Sequence, residues 1–551
     1  MLTFQTALPA EAGIPESAIK ALTDRLDQKK IPMHSLLIWR HEKLVTEWYY
    51  APVKKGDLHR MFSVSKTLTA IGIGLLADEG KLKLSGRIVT FFPEIVPADV
   101  HPWIRDMTIR DLLRMRTCHA STTYKIHPEK DWVESFFITP PDHKPGTLFH
   151  YDTSAAHVLC ALTERLSGQK LTDYVRSRMP ELGLSKEAYM ICDPFGISMG
   201  GSGLMATSED LLRIGYLLYH KGLVEGKQLL SKAYLEEALS RQSPNIATAF
   251  MPCEGCGYGY QLWIGEQDAP ILYGLGGQLV FLLPKQDMMV VTTADTQGIA
   301  GGVQMIHDAI YDLLLPALDG TATTGGGAAT VSGTATTGIT DTVSNAATTG
   351  ITDTVSDAAT VGGTSKVPMA TAISAPEGPV PGDPAAGAPA ADFGSLQIKP
   401  LQPVHGASLT SPLAWDLHQK TFRLKDNPEG FQDLRFTFTD EKTGTLEYTL
   451  RGTSCRLSFG FGALQEGRFP IYGKYYAGSG IWLQENTLYL YLHVIDEYVG
   501  SVRMEFVFGK TDDGKWDITA YFRKVEETIL KEYNCHLYGV SLLGKSDVCL
   551  S

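Results

Sequence analysis

The stretch MFSVSKTLTAIGIGLLADEG, Met61 to Gly80, places a serine and a lysine three residues apart at the head of a long apolar run. Apolar residues recur at Val64, Leu68, Ile71, Leu75 and Leu76, which predicts an amphipathic helix with a buried stripe. The spacing puts Ser63 and Lys66 on one face of the first turn, close enough to share a proton, whereas Ser65 points elsewhere. A serine hydroxyl is a weak nucleophile at neutral pH, so it needs a base beside it and donors for the oxyanion that forms. Lys66 is the first candidate base. Lysine titrates near about 10.4 and acts as a base where burial or a positive field lowers that value, and a helix N-terminus offers such a field. The same terminus presents the backbone N–H of Ser63 as half of an oxyanion hole. Four residues alone also describe an ordinary helix cap, so the flanking sequence decides.

Upstream, Pro15 to Lys29 reads as a helix, followed by two short strands, Ser35 to Arg40 and Lys43 to Tyr50, joined by His41 and Glu42. Downstream the chain is mostly helical. TIRDLLRMR begins with Thr108 and has Asp111 three residues on, a capping box; Thr207 and Asp210 repeat the pattern at the head of a helix to Gly222. Helices are also expected at Ser154 to Gly168 and Leu171 to Pro180. Strand signal returns at Tyr258 to Gly265, Gln278 to Pro284 and Asp287 to Ala294, and a helix from Gly302 to Leu315 closes the region. Strands at both ends of a helical insertion imply a sheet assembled from distant pieces and faced by the first and last helices, with the cleft between sheet and helical subdomain.

From Gly320 to about Asp392 the composition shifts to Thr, Ala, Gly, Ser and Pro, and TTGITDTVSNAA at 336–347 recurs as TTGITDTVSDAA at 348–359. So short a repeat cannot bury a core, and 319–393 reads as a flexible linker with a coil span of roughly 50 Å. Beyond it the period is strictly two: Leu434, Phe436 and Phe438, then Leu446, Tyr448 and Leu450, then Leu488 to Val494, then Val502 to Phe506, with Asp513 and Gly514 as a hairpin turn. Residues 394–551 are therefore expected to form an antiparallel β domain, a sandwich or barrel, behind a first domain spanning 1–318. Tyr472, Tyr475, Tyr476 and Trp482 either fill that β core or line a pocket in it.

The 551 residues are 44% hydrophobic and 20% charged, as in a soluble globular protein. A net charge of −12 argues against nucleic acid or an anionic membrane surface as partner. The N-terminus has neither a basic segment nor an apolar core, and no run approaches a membrane span, so a cytoplasmic protein is expected. Eight scattered cysteines suit a reducing compartment, and the lone C-x-x-C at Cys253 and Cys256 lacks the second ligand pair of a zinc site.

A second motif lies in FHYDTSAAHVLCAL, Phe149 to Leu162, where Tyr151 precedes a helix and Thr153 follows two residues later. With both motifs in order the sequence resembles the serine beta-lactamase and penicillin-binding-protein-like hydrolases, especially the class C-like branch with its esterases and amidases, whose motifs are S-x-x-K, Y-x-N and a K-T-G-type strand. The resemblance runs from about Leu36 to Leu315, through FSVSKTLTAIGIGLLADEGKL, TIRDLLRM, FHYDTS, GGSGLMATSEDLLRIG and GGQLVFLLPKQDMMVV. It implies an α/β (α+β) beta-lactamase/transpeptidase-like domain: an antiparallel sheet flanked by helices, plus a helical subdomain. It further implies that Ser63 is acylated, that Lys66 and Tyr151 share the acid and base work, and that Thr153 stands where an asparagine usually meets the substrate amide. No metal or organic cofactor is implied.

Two departures narrow the reading. Thr153 lacks the amide of asparagine. The third motif reads Tyr273, Gly274, Leu275, Gly276, Gly277, Gln278, without the cation that relatives use to hold a substrate carboxylate. Gly276, Gly277 and Gln278 remain candidates for the second oxyanion donor. The expected function is hydrolysis of small esters, amides or peptides through an acyl-enzyme. Its rivals are a beta-lactamase or D-alanyl-D-alanine carboxypeptidase, a catalytically silent penicillin-binding-like sensor, and a protein whose β domain does the main work by binding glycan, peptide or lipid. Gly196 to Gly200 also spell G-x-S-x-G, but Pro194 precedes them and no helix follows directly, so Ser198 does not fit a nucleophile elbow. His119, His150 and His157 read as local structure, since none accompanies a correctly placed serine.

Overall fold

Val, Leu, Ile and aromatic residues dominate two neighbouring strands, Met33–Arg40 (β1) and Lys43–Ala51 (β2). His41 and Glu42 between them take φ of 52° and 62°, the backbone of a two-residue turn whose twist matches the flanking strands. The computed structural model describes residues 1–318, 397–404, 408–439, 442–525 and 529–542. The expected linker, 319–393, lies outside the described residues.

The sheet continues with β3 (Trp263–Ile264), β4 (Pro270–Gly274), β5 (Gln278–Leu283) and β6 (Met288–Ala294). Their order is β2-β1-β6-β5-β4-β3, antiparallel throughout, with Ile38 of β1 opposite Val290 of β6. The chain ends of the domain thus meet in the middle of the sheet, as the strand pattern implied. Helix α1 (Glu16–Gln28) packs with the helix at Gly302–Ala309 on one face, and the helix at Ser208–Tyr219 covers the other. Side chains alternate accordingly: the Phe281 ring meets His307, while Val280 and Leu282 lie beside Gly215. The expected strand over Tyr258 to Gly265 shrinks to β3, because Gln261 adopts φ 58° and turns the chain. Strand β4 carries little period-two signal in the sequence, and its pairing with β5 defines it.

The central helix α2 spans Ser65–Asp78, so Ser63 lies in the turn before it rather than in its first turn. Phe62, at φ 44°, is the reason: a residue in the left-handed region cannot continue a right-handed helix backwards. Nor is α2 amphipathic, as Ser65 to Leu76 are all buried. It is enclosed by α3 (Thr153–Ser167), by the helix at Leu171–Arg178 and by Tyr234, whose ring would lie 2.6 Å from any Cβ at Gly74. Both expected capping boxes form, Thr108 with Asp111 and Thr207 with Asp210.

The second domain is a closed barrel of nine strands. In chain order they are β8 (Thr421–Leu424), β9 (Phe431–Phe438), β10 (Thr443–Leu450), β11 (Thr453–Phe461), β12 (Tyr475–Gln484), β13 (Thr487–Val494), β14 (Gly500–Lys510), β15 (Trp516–Lys524) and β16 (Cys535–Ser541). Each pairs with its sequence neighbour, and β16 pairs with β8 to close the ring. An odd number of strands cannot close with antiparallel pairs alone. One junction must be parallel, and it is β11 with β12, where the short strand Gln465–Arg468 lets the chain reverse. Alternate residues fill the barrel with aromatic rings, such as Phe436 edge-on to Phe506 at 4.9 Å. Tyr476 and Trp482 belong to this core, while the Tyr472 hydroxyl donates to Glu532 at 2.9 Å. Before entering the barrel the chain adds a strand to the first sheet: Gln397–Pro400 (β7) runs parallel to β2, with Gln397 opposite Trp48.

Candidate active site

Four pieces of chain converge on the turn before α2. Ser63 is partly exposed at its tip, and Lys66, one turn along, is 1% exposed. Lys66 Nζ donates to Ser63 Oγ at 3.1 Å and to the carbonyl of Gly201 at 2.8 Å. The turn is held by successive bonds, Val64 N–H to Met61 O and Lys66 N–H to Ser63 O, and Met61 N–H donates to Leu204 O. Phe62, directly before the serine, sits in a conformation that costs a non-glycine residue about 1 kcal/mol or more and is held there by the surrounding packing. Ser65 is fully buried, its hydroxyl donating to Phe62 O at 2.6 Å and accepting from Leu204 N–H at 2.8 Å. It has structural work only, which leaves Ser63 as the accessible hydroxyl of the pair.

The second piece is the entrance to α3. Tyr151 stacks on Trp263 with centroids 5.4 Å apart, and the Lys66 ammonium lies 4.6 Å from the Tyr151 ring centroid. Asp152 caps α3 by accepting from Ser154 N–H at 2.9 Å, and complete burial pushes its carboxyl up to about 6. Thr153 is 2% exposed and does not line the cavity; its methyl lies against Gly201 and its N–H donates to Thr122 Oγ1 at 3.2 Å.

The third piece is the β4–β5 turn. Gly274 lets this strand approach the serine turn closely, since a Cβ there would fall 2.3 Å from Met61 O. Gly276 borders the cavity, Gly277 N–H bonds to Gly274 O at 3.3 Å, and Gln278 is fully buried with its amide bridging Leu275 O and Ala294. The fourth piece, Gly200 and Gly201, is invisible as a site in the sequence except as a glycine doublet. Gly201 has to be small, because a Cβ would come within 2.4 Å of Thr153. The neighbouring Ser198 is 1% exposed and donates to Glu164, so the G-x-S-x-G segment is a structural turn.

Ser63 and Tyr151 open onto one cavity of about 820 Å³, walled by Phe149, Trp263 and Tyr273, by the loop 247–254, and by the loop from Thr296 to Val303. His150 lines it too, whereas His119 is buried against Phe136 O, its ring pushed down to about 4 by desolvation, and His157 lies beside Asp193. Glu254, Trp263 and the 296–303 loop are cavity residues that the motifs did not point to. No helix among the described residues is long and apolar enough to cross a membrane.

A protein-family model described as "Beta-lactamase" matches residues 18–315. A 6-aminohexanoate-dimer hydrolase from Paenarthrobacter ureafaciens is 24% identical over 311 residues, covering 52% of this chain and 79% of the relative. Among solved structures, a D-amino acid amidase from Ochrobactrum anthropi SV3 aligns with a TM-score of 0.43 and 17% identity, over 54% of this chain and 99% of that one. An octameric penicillin-binding protein homologue from Pyrococcus abyssi aligns with a TM-score of 0.42 and 13% identity, over 95% and 99%. With a family model covering more than half its length, this chain belongs to the beta-lactamase family and is a serine hydrolase of that fold.

Proposed function

We propose that the protein hydrolyses small esters or amides through an acyl-enzyme formed on Ser63. The observation that carries this reading is the 3.1 Å contact of Ser63 Oγ with the buried Lys66 Nζ at the wall of an aromatic cavity. Ser63 Oγ attacks the substrate carbonyl carbon, and its proton passes to the pair formed by Lys66 and Tyr151. The tetrahedral oxyanion is held by the Ser63 N–H and by an N–H of the turn from Gly276 to Gln278. Collapse breaks the bond to the leaving group, which takes up the proton. Water then attacks the acyl-enzyme along the same route and releases the acid, restoring the serine hydroxyl.

Two observations bear on the substrate. Apart from Lys66 behind Ser63, no Lys or Arg borders the cavity among the described residues, so no third-motif cation is there to hold a substrate carboxylate, which favours esters and amides without that group over penicillins and D-alanyl-D-alanine termini. A relative is named for hydrolysis of a 6-aminohexanoate dimer, which supports counting amides beside esters as candidates.

Replacing Ser63 by Ala is expected to lower hydrolysis of 4-nitrophenyl butyrate by roughly 10³-fold or more and to abolish labelling by a fluorophosphonate. Intact-mass spectrometry should find the adduct on the wild-type chain only. Hydrolysis or labelling that survives the substitution would overturn the reading.

A further inference from the structure

We propose that the cavity contains an ammonium subsite formed by Glu254 and the aromatic rings beside it, and that the preferred ester or amide carries a positive charge. This inference deepens the hydrolase reading and rests on it.

Glu254 is 8% exposed and borders the cavity into which Ser63 opens. Its carboxylate accepts from the Tyr273 hydroxyl at 2.7 Å and from Phe250 N–H at 3.1 Å. Both donors are neutral, and among the described residues no Lys or Arg forms an ion pair with it. Burying a carboxylate is costly unless a counter-charge accompanies it, and hydrogen bonds from neutral groups offset only part of that cost. An ammonium group brought by a ligand would supply the missing charge.

The surrounding rings point the same way. Trp263 lies 5.5 Å from Tyr273, 5.4 Å from Tyr151 and 6.3 Å from Phe149. Aromatic faces grouped around a void attract cations through their quadrupoles, most strongly when the cation is desolvated. A carboxylate among such rings distinguishes a cation site from a merely apolar one.

The position of the pair adds a third argument. Tyr273 stands at the start of the third-motif segment, on the β4 strand that packs against the serine turn. Relatives are expected to present a cation to substrate in that segment. Here it presents a hydroxyl that steadies an anion. Burial, and then the charge of Glu254, push the Tyr273 phenol well above its usual range, so it remains a donor to the carboxylate at any working pH. The polarity of recognition is thereby reversed.

Two isosteric substrate pairs test this, one on each side of the scissile bond. The 4-nitrophenyl ester of 4-(trimethylammonio)butanoate is compared with that of 5,5-dimethylhexanoate, and acetylthiocholine with 3,3-dimethylbutyl thioacetate. In at least one pair the wild-type protein should show a kcat/KM about tenfold or more higher for the cation. Glu254→Gln should erase most of that preference through KM, lowering kcat/KM for the cation several-fold more than for its neutral partner. Equal rates within both pairs, or an equal loss on both partners in the variant, would overturn the subsite. If Glu254→Gln does not fold, the wild-type ratios alone decide. If neither pair is hydrolysed, calorimetric titration with tetramethylammonium chloride separates the two ideas. Binding lost in Glu254→Gln keeps the subsite and sinks only the hydrolase reading, whereas no binding to the wild type sinks the subsite as well.

Discussion

Asp152 shows how one residue beside the site ties its geometry to stability. It follows Tyr151 directly, caps α3 and is fully buried, and its carboxyl titrates near 6 instead of 3.8. Between those two values the folded chain holds a proton that the unfolded chain has already released. Stability therefore falls as pH rises from about 4 to about 6, by up to about 3 kcal/mol for this group, and levels off above. Asp295, also raised to about 6 by burial, acts in the same window. Asn at position 152 can still accept the Ser154 N–H while carrying no charge. Asp152→Asn is accordingly expected to gain stability relative to the wild type on going from pH 4.5 to pH 7, read as urea midpoints at both values. A difference between the two proteins that stays constant over this range would refute the assignment.

At the scale of elements, α2 is the clearest case of sequence and structure parting company. Its existence and its serine and lysine were legible, because apolar content and i to i+3 spacing are local properties. Its burial on every side was not, because the second set of partners, Leu171 and Tyr234, comes from helices with no local mark of where they dock. The capping boxes were read correctly for the same reason that α2 was half-read: a cap is complete within four residues. Gly201 and Glu254 sit in loops that the fold carries to the serine from far along the chain, and nothing at those positions encodes the journey. Gly74 turns this enclosure into a measurement. Ala normally stabilises a helix over Gly by about 1 kcal/mol, but here the added methyl would lie 2.6 Å from Tyr234, and that ring is fixed by a 2.6 Å bond from its hydroxyl to Ala70 O. Overpacking of this kind costs about 1–3 kcal/mol, so Gly74→Ala should lower the urea midpoint rather than raise it. An increase would mean that α2 has a loose flank.

Across the whole molecule the barrel braces a wall of the cleft. Arg503 of β14 donates to Gly298 O at 3.2 Å, and Gln297, which lines the cavity, donates to Val499 O at 2.8 Å. Position 298 must be glycine for this contact, as a Cβ would fall 1.8 Å from the Arg503 guanidinium. Tyr189 reaches Glu497 at 3.0 Å, and β7 adds a four-residue parallel strand to the edge of β2. The alternation of the second domain was plain in the sequence, but its closure and its seat against the first domain depend on pairings between remote residues. Once the chain is cut within 319–393 the covalent link is gone, so the contacts themselves must hold the domains together. A protease site placed between 336 and 359 provides the cut. After cleavage the two fragments are expected to co-elute in gel filtration at micromolar concentration and to keep ester hydrolysis, because the bonds from Arg503, Gln297 and β7 do not pass through the cut segment. Separate elution would show that these contacts do not hold the barrel without the covalent link, and ester hydrolysis retained by the separated first domain would show that the Thr296 to Val303 wall keeps its shape without help.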